Sequence, residues 1–173
     1  PCVMTQDCTA GTCFRGMCGP AFVLSYQDTP ETGSDPTQAK WIRFQFQIEN
    51  RTSASYPLSA FTLRYYYTPE RAVSQFQALS TSAPPADVSK VTGTFGKTNG
   101  WTYLEVGFTN SAGTLNGSGA STGIVKVGIH DQNFTDFVFY QPDDYSYLKP
   151  EHITLYLNSV LVAGVEPVTP PPQ

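Results

Sequence analysis

A hydrophobic period of two, repeated in short runs between turn residues, constrains this chain more than any other feature. From Lys40 to Asn50, Ile42, Phe44, Phe46 and Ile48 alternate with Arg43, Gln45, Gln47 and Glu49. That is the pattern of a strand with one face buried and the other in water. Phe61 to Thr68 puts Leu63, Tyr65 and Tyr67 on one face and Arg64 and Tyr66 on the other. Thr102 to Phe108 turns Leu104, Val106 and Phe108 inward and Tyr103 and Glu105 outward, and Ile124–Ile129 and Ile153–Leu157 alternate likewise. Leu157-Asn158-Ser159-Val160 reads as a hairpin, since Asn tolerates positive φ. Gly- and Ser-rich spacers such as Asn110–Thr122 divide the runs, Pro84-Pro85 interrupts the segment before it, and no stretch shows the 3.6-residue period of an amphipathic helix. Many short alternating strands predict an all-β sandwich of two antiparallel sheets.

Composition narrows the function. A chain of 173 residues is one domain with a small appendage. Only 14% of residues are charged and the formal charge is -4. Nucleic acid is therefore excluded as a partner, because phosphate backbones are held by clustered Lys and Arg. With 40% hydrophobic and 13% aromatic residues the chain is too apolar for disorder. No apolar run approaches the roughly 18 residues needed to cross a bilayer, so no membrane partner is expected. The sequence opens at Pro1 without a basic or apolar leader, and any targeting signal is expected to lie outside these residues.

All the cysteines, Cys2, Cys8, Cys13 and Cys18, fall in the first 18 residues. So short a segment cannot order itself by burial alone, and two disulfides made in an oxidising compartment would compensate. Zinc is the alternative, but gaps of five, four and four residues are wider than the close pairs of structural zinc sites. The three possible disulfide connectivities stay open. Val165–Gln173 holds four of the 14 prolines and favours an extended linker. The expected organisation is a Cys-rich stapled segment at 1–20, the sandwich at 21–167 and a Pro-rich linker at 168–173, together a module of a secreted protein.

Catalysis finds little support. His130 and His152 have no nucleophile in a recognisable motif, and the close acidic pair Asp143-Asp144 is adjacent in sequence, so its side chains diverge. The expectation is a non-enzyme with no catalytic residues. The aromatic residues say more. Tyr66 and Tyr103 fall on the solvent face beside Arg64 and Glu105. A pyranose offers an apolar C–H face that stacks on a ring and hydroxyls that need donors and acceptors. The same four residues would equally serve as cross-strand pairs on a wet sheet face, at about 0.2–1 kcal/mol each.

Leu63-Arg-Tyr-Tyr-Tyr-Thr68, Thr102-Tyr-Leu-Glu-Val-Gly-Phe108, Asp144-Tyr-Ser-Tyr147 and Leu155-Tyr-Leu-Asn-Ser-Val-Leu-Val162 occur in this order over Phe22–Pro167. In these motifs the chain resembles the family 3 carbohydrate-binding modules, the cellulose-binding domains of scaffoldins and bacterial cellulases. The resemblance implies a nine-stranded jelly-roll sandwich, a structural calcium ion and non-catalytic binding of cellulose or a related β-glucan. It places the calcium ligands at Thr68, Glu70, Tyr140, Asp143 and Asp144, with Glu70 where the family commonly has Asp. Oxygen donors of this kind suit calcium.

The resemblance also separates two binding faces. The flat strip that grips crystalline cellulose is mostly missing, because Arg71–Ser89 lacks its Asp-His pair and Tyr. Gly128 stands at the position of its Arg and Phe134 at that of its Trp, with Phe137 and Phe139 nearby. The opposite shallow groove is retained as Arg64, Tyr66, Tyr103, Glu105 and Tyr145. Carbohydrate binding is therefore expected from these five residues, with Phe134 as a further candidate, and from a single glycan chain rather than a crystal face. Two other readings stand beside it. One is a protein-interaction or structural module whose groove takes a linker peptide. The other is a helper module fused to a catalytic domain such as a glycoside hydrolase.

Overall fold

The computed structural model of the chain describes residues 2–9, 11–29, 40–67, 75–85, 87–133 and 153–168. The first element is a small hairpin of β1 (Thr12–Phe14) and β2 (Met17–Gly19). Eight longer strands follow: β3 (Phe22–Asp28), β4 (Ile42–Asn50), β6 (Phe61–Tyr67), β7 (Gln75–Thr81), β8 (Val91–Thr98), β9 (Trp101–Phe108), β12 (Val125–His130) and β13 (Ile153–Leu157). Between and after them lie β5 (Tyr56–Pro57), β10 (Thr114–Leu115), β11 (Ala120–Ser121) and β14 (Val160–Ala163). Among the described residues there is no α-helix, only three 3-10 turns.

Two five-stranded antiparallel sheets face one another. One runs β11-β4-β12-β7 with β3 also paired to β4, and the other runs β14-β13-β6-β9-β8. The sheets together hold ten strands among the described residues, short β11 included, where the resemblance implied nine. The period of two sets which side chains meet between them. Phe44, Phe46, Ile48, Leu63, Leu104, Val106, Val125, Val127 and Ile129 are all within 1% of full burial. Rings cross the interior: Phe44 stacks on Tyr65 at 4.3 Å, and Phe22 meets Phe61 edge-on at 5.4 Å. Such pairs add about 0.5–1.5 kcal/mol beyond the area they bury.

The turn Asn158-Ser159 takes positive φ at both residues, 49° and 67°, as a two-residue hairpin with the strands' own twist requires. Asn50, fully buried at the end of β4, ties the loops together. Its Nδ2 donates to the carbonyls of Ala54 (2.7 Å) and Asn116 (3.0 Å), while its Oδ1 accepts from the Thr52 amide at 3.0 Å.

In the N-terminal segment the pairing is Cys2–Cys13 and Cys8–Cys18, and no described cysteine is free. This removes the zinc alternative, because every sulfur is spent in an S–S bond. The Cys2 amide donates to the Gly16 carbonyl at 2.9 Å, and the Asp7 carboxylate accepts from the Val3 and Met4 amides at 2.8 and 2.9 Å. Those two amides hold the Asp7 carboxyl below its ordinary value.

Candidate functional site

The outer face of the β13-β6-β9-β8 sheet gathers the expected groove residues by register. Arg64 lies opposite Glu105 and Tyr66 opposite Tyr103, while Thr154 of β13 flanks Arg64 on the other side. Arg64 Nε donates to Glu105 Oε2 at 2.8 Å, and the guanidinium carbon sits 4.8 Å above the ring centroids of both Tyr103 and Tyr156. Burial works against the charged guanidinium, but the Glu105 hydrogen bond and the neighbouring Tyr156 and Tyr103 outweigh it, and its pKa moves up. Arg64 is a fixed cation.

One expectation is overturned. Tyr66 belongs to this outer face but is only 1% exposed. Its ring meets Tyr103 edge-on at 5.8 Å, its hydroxyl lies 3.2 Å from that of Tyr156, and Thr154 Oγ1 donates to it at 3.3 Å. Tyr66 is thus buried beneath Tyr103 and Tyr156 and cannot itself stack on a sugar. Tyr103 can, being half-buried and laid across Gly96, where a Cβ would come within 2.3 Å of the phenol.

The sequence reading missed two members of this cluster, Tyr156 and Glu166. After β14 residues 165–168 carry no regular structure and pass beside Arg64, Tyr156 and Asn99. The Tyr156 hydroxyl donates to Glu166 Oε1, Arg64 Nη1 lies 3.8 Å from the same oxygen, and Asn99 Nδ2 donates to the Pro167 carbonyl at 3.2 Å. The signal for Tyr156 was present in the alternation of β13, but both faces of that strand are covered. Burial, followed by the Glu166 hydrogen bond, pushes the Tyr156 phenol up, and burial alone pushes up that of Tyr67.

A raised phenol pKa favours the folded state while the unfolded phenol is still protonated, and this contribution is lost as pH climbs through the folded value. Stability is therefore expected to hold up to about pH 10, the ordinary tyrosine value, and to fall above it. Phenolate absorbance followed alongside circular dichroism checks this. Two tyrosines ionising only together with unfolding is the expected trace; ten independent ordinary titrations would contradict it.

The opposite sheet presents a second ring laid on a glycine. A Cβ at Gly128 would stand 2.8 Å from Trp41 Cε3, and Leu79 lies beside it at 3.3 Å. Arg43 sits 4.9 Å over the Trp41 ring, and His130, 8% exposed, packs against it at 4.3 Å. Around them the outward side chains are largely amides, among them Gln45, which donates to Gln27 at 3.1 Å. Gly128 of β12 is thus the seat of Trp41, the residue immediately before β4.

Tyr145 and Phe134, the calcium candidates Thr68, Glu70, Tyr140, Asp143 and Asp144, and also His152, Phe137 and Phe139, lie outside the described residues. The clustered sulfurs of Cys2, Cys8 and Cys18, close enough to one another to suggest a metal site, belong to the two disulfides. No described helix is long and apolar enough to cross a membrane.

The family model described as "Cellulose binding domain" matches residues 30–164. The chain is 36% identical over 137 residues to Exoglucanase-2 of Thermoclostridium stercorarium, covering 71% of this chain and 14% of that protein. It is 34% identical over 191 residues to cellulosomal-scaffolding protein A of Acetivibrio thermocellus, covering 96% of this chain and 9% of that protein. The chain thus spans a small part of these relatives. Among solved structures, a biomass-sensing module of an RsgI-like protein from Clostridium thermocellum aligns with a TM-score of 0.71 at 26% identity, covering 86% of this chain and all of that one. The CBM3b of the scaffoldin ScaA from Acetivibrio cellulolyticus aligns at 0.67 with 25% identity, covering 85% and 97%. The sandwich is the jelly roll of these modules, which are non-catalytic. By family match and fold alike, the chain belongs to the family 3 carbohydrate-binding modules.

Proposed function

We propose that this module tethers a larger secreted protein to cellulose or a related β-glucan, holding one glycan chain along the groove of Arg64, Tyr103 and Glu105, with Tyr145 at its side. The observation that carries this reading is Tyr103, half-buried on Gly96 beside the Arg64–Glu105 pair. One pyranose would stack on the ring while its hydroxyls bond the charged pair. No bond is made or broken. The cellulase and scaffolding relatives support the same class of ligand.

Trp41 favours a second reading, in which the amide-lined face of the other sheet meets the polysaccharide, with Phe134 adding to it. Pull-down on amorphous and crystalline cellulose, with soluble β-glucan as competitor, separates the two. The groove reading expects retention on amorphous cellulose that Tyr103→Ala lowers by about tenfold, the worth of one stacked ring with its hydrogen bonds, while Trp41→Ala leaves it unchanged. The reverse pattern assigns binding to the Trp41 face. Retention by no β-glucan, together with peptide binding, would replace both with the interaction module.

We further propose that calcium held by Thr68, Glu70, Tyr140, Asp143 and Asp144 stabilises the module, since carboxylate, hydroxyl and carbonyl oxygens suit that ion. A chelator is then expected to lower the melting temperature and added calcium to restore it, because an ion that binds only the folded state stabilises it. An unchanged melt with no metal by elemental analysis would remove the ion.

A further inference from the structure

Residues 1–20 take no part in either face above, and the family model does not reach them. Where the stapled hairpin meets the sandwich it leaves a cleft of about 360 Å³. Phe14, Met17 and Pro20 supply its apolar lining, and Arg15 and Arg51 its charge. The two guanidinium carbons lie 5.0 and 5.5 Å from the Phe14 centroid, so two of the chain's ten basic residues converge on one ring. That ring is seated on the sandwich by Gly119, where a Cβ would stand 2.4 Å from it.

Both walls are rigid. The two disulfides fix the hairpin, and Arg51 is held from β4 by Glu49 at 3.1 Å, its Nε buried without a hydrogen-bond partner. Arg15 stands exposed at the hairpin turn with φ +50° and has no acidic partner among the described residues. The Glu49 carboxylate neutralises one guanidinium and leaves the other.

An apolar lining with a cationic rim fits a ligand that is apolar on one side and anionic at its edge. A neutral sugar would leave Arg15 unmatched, and a polyglutamate peptide would bring charge but no rigid apolar face to Met17 and Pro20. A hexuronic acid brings both, a pyranose C–H face and a planar carboxylate that the guanidinium fork grips in two parallel hydrogen bonds. We propose that this cleft binds a uronic acid residue of an acidic polysaccharide, its carboxylate accepting from Arg15 and Arg51 and its C–H face against Met17 and Pro20.

Calorimetric titration of the full chain with trigalacturonate tests this, with the fully methyl-esterified trimer, hexaglutamate and acetate as comparison ligands. Trigalacturonate is expected to bind, more weakly at high salt as the charge pairing is screened. The ester should bind about tenfold more weakly or worse, having lost the charge-assisted bonds. Arg15→Gln should cost about tenfold, with Arg15→Lys recovering part of it. Arg15 is exposed, so an unchanged melting temperature is expected for both variants, and Met17→Ser offers an independent change to the apolar wall. Absence of binding, equal binding of the ester, equal binding of hexaglutamate or acetate, or indifference to Arg15→Gln would each overturn the proposal. None of these results bears on retention by neutral β-glucans, which the Tyr103→Ala and Trp41→Ala pull-downs decide.

Discussion

Tyr66→Ala is expected to destabilise the module by about 3–5 kcal/mol, the range for deleting a fully buried aromatic side chain. The ring is only 1% exposed, braces Tyr103 edge-on, and its hydroxyl joins Tyr156 and Thr154. Its removal leaves a cavity beneath Tyr103 and strands two polar partners, Tyr156 and Thr154. For a domain of this size the melting temperature should drop on the order of 10 °C. Tyr66→Phe keeps the ring and should cost only about 1–3 kcal/mol, the penalty of a buried hydrogen-bonding group left short of a partner. Urea unfolding followed by circular dichroism measures both. A loss below about 1 kcal/mol for the alanine variant would be incompatible with the burial. Tyr66 is therefore the wrong residue for testing glycan contact, since its removal weakens the fold as well as the site. Tyr103→Ala removes the stacking ring while leaving the fully buried Tyr66 in place, and its melting temperature measured alongside separates contact from packing.

Gly164→Ala is the second large effect. Gly164 joins β14 to the segment that carries Glu166, and it adopts φ +82° with Ile153 O only 2.2 Å from where a Cβ would sit. The left-handed backbone alone costs a β-carbon about 1–2 kcal/mol, and the obstacle is a carbonyl of β13, which cannot move aside as a flexible side chain would. A total loss of at least about 2 kcal/mol is expected. The residues that give way are those following Gly164, so Glu166 should leave Tyr156 and Arg64. Two readings follow from one variant: the Tyr156 phenol titrates closer to the ordinary tyrosine range, and Tyr103 becomes more open to a soluble β-glucan. An unaltered alkaline titration would show that the segment keeps its place.

The interior was legible in the sequence because a period of two is a local property. Phe44, Phe46 and Ile48, or Leu104 and Val106, declare their buried side without reference to any other strand. The outer faces were legible only in part. Alternation placed Tyr66 outside the core correctly, but nothing in β6 says that β13 lies beside it with Tyr156, or that residues 165–168 pass over the top. Exposure on a sheet's outer face is decided by neighbours distant in sequence. Trp41 was hidden for the same reason: its seat, Gly128, comes from β12, and only the register of β4 against β12 brings them together. Gly128 alone reads as a missing arginine. The cysteine pairing was open for a related reason, since spacing constrains loop size but not connectivity.

The fastening of Glu166 and Pro167 also decides how this module would bear a pull from its C-terminal side. Tension entering there meets the Asn99–Pro167 bond and the Glu166 carboxylate before it reaches the ladder between β14 and β13. Asn99 sits at the bend between β8 and β9, so the strain is shared with the far edge of the sheet. An anchor built this way resists being unzipped one rung at a time.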